Sequence, residues 1–114
     1  MAVTVTGGPA AGGLAYRAAL DAVAGNATSI AIPSWARKVT ITFVDSGSSA
    51  AAGKILRGSH SQSDGASMST HAFPVSAGSA YELTLIPGLA RHSDGCTIYL
   101  SGSAGGYAHL DLEL

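Results

Sequence analysis

The chain has 114 residues, 46% of them hydrophobic and only 11% charged, with a formal net charge of −1. That length bounds it to one ordinary domain with a modest core, and the hydrophobic share excludes a disordered chain. No basic stripe is present, so the footprint of a nucleic-acid binder is missing.

A typical soluble domain carries about 25% charged residues. Two readings of the shortfall stand side by side. Partners cover much of the exterior, since interface cores are depleted in charge, or Ser, Thr and Gly supply the solvated surface. Cys96 is the only cysteine, which excludes an intrachain disulfide and a thiolate-rich metal site. A buried strand thiol is expected there, because free Cys behaves as a small hydrophobe. The start, Met1 to Gly8, has neither a basic region nor a continuous apolar run, so no secretory signal is read. No apolar run approaches the ~20 residues of a membrane helix. Synthesis in a cytoplasm and no membrane partner are therefore expected. The sequon Asn26-Ala27-Thr28 carries no weight without a secretory route.

In chain order, Val3 and Val5 alternate with Thr4 and Thr6 and predict an edge strand, closed by the Gly-rich stretch from Gly7 to Gly13. Residues 1–13 read as an extended N-terminal arm. From Leu14 to Val23 the signals conflict. Alanine content and Gly25 suit a helix. The alternation of Tyr16, Ala18, Leu20 and Ala22 with Arg17, Ala19 and Asp21 suits a strand, and the strand is preferred. Gly25-Asn26 then predicts a hairpin turn into a strand over Ser29–Ile32. Pro33 ends that strand because it has no amide to donate. The clearest strand is Val39–Val44, with Val39, Ile41 and Phe43 on one face and Thr40 and Thr42 on the other.

Asp45–Gly53 reads as a small-residue loop, Lys54–Arg57 as a short apolar segment and Ser59–Ser69 as a long polar loop. Met68–Val75 predicts edge pairing limited by Pro74. Tyr81–Ile86 alternates, Pro87-Gly88 turns the chain, and Ser93-Asp94-Gly95 leads into a strand over Cys96–Leu100. Gly102–Gly106 is another turn. The last strand puts Ala108, Leu110, Leu112 and Leu114 on one face and His109, Asp111 and Glu113 on the other. The sum is a single-domain, all-β antiparallel sandwich or jelly roll of seven to eight short strands. Each sheet should have one buried and one exposed face.

Chemistry is sparse. None of His60, His71, His92 and His109 has a metal-ligand spacing to another His, Cys or acid, so no metal is expected. Gly47 and Gly53-Lys54 miss the phosphate-loop spacing by one residue, and Ile55 stands where Ser or Thr would hold magnesium. No Gly-x-Ser-x-Gly elbow occurs. The aspartates fall mostly in turn contexts, where Asp caps its own backbone. No catalytic residue and no cofactor is assigned. Trp35, the only tryptophan, reads first as a plug over the core's end and second as an interface anchor.

One segment carries a resemblance. Thr28-Ser29-Ile30-Ala31 leads into Ile32-Pro33-Ser34-Trp35, followed by Arg37-Lys38 and the strand Val39–Phe43. This pattern resembles one common in tailed-bacteriophage tail-fibre and related virion proteins. It reads as a strand connection rather than an active site. The resemblance implies a virion accessory protein and, by analogy, a homotrimer. Fibre proteins of this kind are usually longer, and nothing after Phe43 continues the match. A short chain beginning at Met1 suits a capsid decoration protein, a collar component or a separately encoded fibre tip.

The expectation is thus a virion structural protein, made in the host cytoplasm and partnered by other virion proteins. Capsid decoration is the first form. The alternative is a tail-fibre or collar module that binds a host receptor or glycan through loop residues His60, Gln62, Asp64, His92 and Asp94. A small glycan hydrolase is the third reading, supported by fold plausibility alone.

Overall fold

The computed structural model describes residues 2–5, 13–23, 26–33, 35–57, 72–84 and 96–113. Among them are nine strands: β1 (Ala2–Thr4), β2 (Gly13–Ala19), β3 (Thr28–Ile32), β4 (Lys38–Val44), β5 (Gly53–Arg57), β6 (Phe73–Val75), β7 (Tyr81–Thr84), β8 (Cys96–Ser101) and β9 (Tyr107–Glu113). They form two sheets, β1-β3-β8-β5-β6 and β2-β9-β4-β7. All pairings between these strands are antiparallel except β1 with β3.

With β1 set aside, successive strands from β2 to β9 switch from one sheet to the other, except β5 and β6, which pair within one sheet. The order is first-eighth-third-sixth in one sheet and second-seventh-fourth-fifth in the other. That is the jelly-roll arrangement, in which two packed sheets bury their facing sides. The all-β sandwich expectation holds, with β1 as an additional edge strand.

Alternation in the sequence becomes layering in space. Val39, Ile41 and Phe43 of β4 meet Leu112, Leu110 and Ala108 of β9 in register, and all six are buried. Ile30 and Ile32 of β3, Ile55 of β5 and Ile98 and Leu100 of β8 face them from the other sheet. Each of these side chains except the methyl of Ala108 contributes about 1.5–3 kcal/mol by leaving water. Thr28 is the polar exception in this layer. Its Oγ1 accepts a hydrogen bond from the Asp21 amide at 3.0 Å, so the buried hydroxyl is satisfied and the β2–β3 connection is tied down. The outer side of the five-stranded sheet carries a second, small cluster of Leu56 and Ala27 with Tyr99 and Ala72.

The chain crosses between sheets at close quarters. A Cβ built on Gly53 would lie 2.5 Å from the Phe43 ring. Before that crossing, Asp45 closes a turn. Its carboxylate accepts from the amides of Gly47 and Ser49, both at 2.9 Å. Ser48 takes a φ of 66°, and Val44 bridges Ala50.

Two expectations shift. The strand read over Leu14–Val23 ends at Ala19, because Leu20 donates its amide to Gly106 O and Asp21 caps the following bend at Val23 N. Gly25-Asn26 does not make a hairpin. β2 and β3 lie in different sheets, and β3 pairs with β8 and β1 instead. Local turn chemistry cannot distinguish a hairpin from a crossover, since both need a tight polar bend. The predicted Ser59–Ser69 loop and the Ser93-Asp94-Gly95 turn lie outside the described residues.

Candidate functional site

The Thr28–Phe43 segment folds as a strand connection. Ile32 is buried at the end of β3, and Ala36 N donates to Pro33 O at 3.1 Å, closing a tight turn. Trp35 packs partly buried against the core. Ser34 lies outside the described residues. Arg37 is exposed, and its amide donates to Glu113 O at 2.8 Å, which sews the turn to β9. Lys38 is half-buried and pairs with Glu82 across the sheet, Nζ to Oε2 at 3.1 Å. The hydrogen bond and charge of Glu82 hold the Lys38 ammonium above its usual pKa, helped by Glu113 and Asp111 and opposed by desolvation. These are roles in connection and surface pairing.

Of the expected recognition residues, His60, Gln62, Asp64, His92 and Asp94 all lie outside the described residues. Cys96 opens β8. Among the described residues no group of three or more His, Cys, Asp or Glu is placed to hold a metal ion, and no helix is long and apolar enough to cross a membrane.

Two surface features emerge that motif reading missed. The first is the outer face of the β2-β9-β4-β7 sheet. A shallow depression of about 380 Å³ opens there, lined by Ala15, Tyr16, Arg17, Thr40, Thr42, His109, Leu110 and Asp111. Register builds it. Ala15, Asp111 and Thr40 stand in one cross-strand row, and Arg17, His109 and Thr42 in the next. The short side chains of Ala15, Thr40 and Thr42 leave space beside the longer Arg17, His109 and Asp111. The Arg17 guanidinium sits 3.7 Å from the centre of the Tyr107 ring and donates to Ser48 Oγ at 3.3 Å. Stacking and hydrogen bonding together limit where it can swing.

The second feature lies at β6 and β7, each the edge strand of its sheet. Phe73 and Tyr81 stack there with centroids 6.0 Å apart and planes at 23°. Tyr81 is partly buried against the core, while Phe73 remains 51% exposed. The sequence signal for the depression was present in the outward faces of three strands. It became legible only once β2 and β4 were known to flank β9.

The chain matches no protein-family model, no curated protein and no solved structure.

Proposed function

We propose that the chain is a non-enzymatic structural protein of a tailed-phage virion, most concretely a capsid decoration protein that stabilises the shell through protein–protein contacts. The observation that carries this reading is the Phe73–Tyr81 pair at edge strands β6 and β7, with Phe73 half exposed. A large ring half in water costs hydration free energy that a partner surface recovers, and aromatic residues dominate interface energetics. The resemblance of Thr28–Phe43 to virion proteins and the sparse surface charge support the same reading. The jelly roll is shared by capsid proteins, lectins and unrelated domains, so it adds context only. Symmetric presentation on a shell multiplies weak contacts into firm attachment.

The test is the copy number in purified particles, by quantitative mass spectrometry against the major shell subunit. A number comparable to the shell subunit supports decoration. A few copies per particle point to the tail-fibre or collar form, and absence overturns virion membership. Phe73→Ser should leave the folded protein intact and weaken its retention on particles by about tenfold or more, read by sedimentation.

A further inference from the structure

We propose that the depression on the outer face of the β2-β9-β4-β7 sheet binds a neutral polyhydroxylated ligand, a hexose unit of a glycan. The argument starts from size. Neighbouring strands lie about 4.8 Å apart, and alternate residues on one strand about 7 Å apart. Two rows across three strands therefore cover roughly 10 by 7 Å, the footprint of a single sugar ring with its hydroxyls. The depression's 380 Å³ falls within the range of small-molecule sites, about 300–1,000 Å³.

The donor set fixes the chemistry. Arg17 brings only donors, Asp111 only acceptors when ionised, and Thr40, Thr42 and His109 both kinds. A cation and an anion line the same depression, so a charged ligand gains one contact and is opposed by the other. Most of the accessible lining is apolar and suits the C–H face of a sugar ring, whereas a wholly apolar ligand would leave a carboxylate and two hydroxyls without partners. A ring of adjacent hydroxyls, each able to donate and accept, satisfies the whole set. Arg17 is already oriented by Tyr107 and Ser48, which lowers the ordering cost of its hydrogen bonds. An open, shallow site gives weak binding per copy, in the millimolar range, and repeated copies on one object would raise it by avidity. None of this depends on where the protein sits in a particle, and none of it involves Phe73.

The test is an amide NMR titration of the full chain with neutral hexose oligomers (glucose, galactose and mannose hexasaccharides) and an anionic hyaluronan hexasaccharide. The expected result is saturable shifts at Ala15, Thr40, Thr42 and His109 with at least one neutral oligomer. Asp111→Asn and Thr42→Val should each weaken that binding by about tenfold while the spectrum stays that of a folded chain. Phe73→Ser should bind as the parent does. Shifts with hyaluronan alone, shifts confined to another face, unchanged affinity in Asp111→Asn, or no response to any neutral oligomer would each overturn the assignment. Loss of particle retention in Asp111→Asn without glycan binding would also overturn it and make the face a protein contact.

Discussion

At the scale of single residues, stability turns on a few close approaches. Gly53 faces the Phe43 ring, and three ring atoms stand 2.5–2.6 Å from where a Cβ would be. Phe43 is buried among core side chains and has little room to retreat. Gly53→Ala should therefore cost about 1–3 kcal/mol by overpacking, seen as a lower urea midpoint with unchanged slope. Lys38 acts differently, because its partner is at the surface. Its pKa lies above the ordinary 10.5 chiefly through the hydrogen bond from its ammonium to Glu82. A raised base stabilises the fold fully below its unfolded pKa, and that contribution disappears as pH rises through the folded value. Glu82→Gln should bring the Lys38 titration midpoint, followed by NMR at Nζ, down toward 10.5. It should also flatten the alkaline loss of stability, while stability at neutral pH changes little, as is usual for exposed pairs.

At the scale of elements, strands with clean alternation were legible in the sequence and their partners were not. The strands expected over Val39–Val44 and from Tyr107 onward are found as Lys38–Val44 and Tyr107–Glu113, legible because each buries every second residue. Pro74 correctly marked β6 as an edge strand, since a central strand would lose a ladder bond there. Register failed to show at a distance. Nothing in the run from Leu14 or in the C-terminal run announces that Ala15 and Asp111 lie side by side, so the depression stayed hidden. His109 and Asp111 appeared as an ordinary solvated face for the same reason. An aspartate in a turn caps its own backbone, and Asp45 does so here. Its carboxylate holds two amides of the β4–β5 connection. Asp45→Ala should cost about 1 kcal/mol and raise hydrogen exchange at Gly47 and Ser49 while leaving β9 protection unchanged in rank. Uniform acceleration across both sheets would show that the turn has no local stability of its own.

At the scale of the whole molecule, the jelly roll makes the fold depend on its last strand. β9 lies between β2 and β4, so residues 107–113 complete the sheet that begins at residue 13. β8 holds the same central place between β3 and β5. Most pairings thus join distant parts of the chain, and loop-closure entropy must be met before the strands gain from pairing. Folding should fall in the milliseconds-to-seconds range typical of non-local β topologies, measurable by stopped-flow fluorescence of Trp35, whose ring packs against the core. Leu110 sits buried in β9 opposite Ile41 and Tyr16. Leu110→Ala should cost about 2–5 kcal/mol through its lost transfer energy and residual cavity. If β9 docks late, that loss appears almost wholly as faster unfolding, because a contact absent from the transition state changes only the unfolding limb. If β9 is part of the nucleus, refolding slows instead. The topology favours the first outcome for one physical reason. β9 is separated from β2 and, less far, from β4 by long stretches of chain, so the loop-closure cost of its pairings is higher than that of nearer pairs such as β5 with β6.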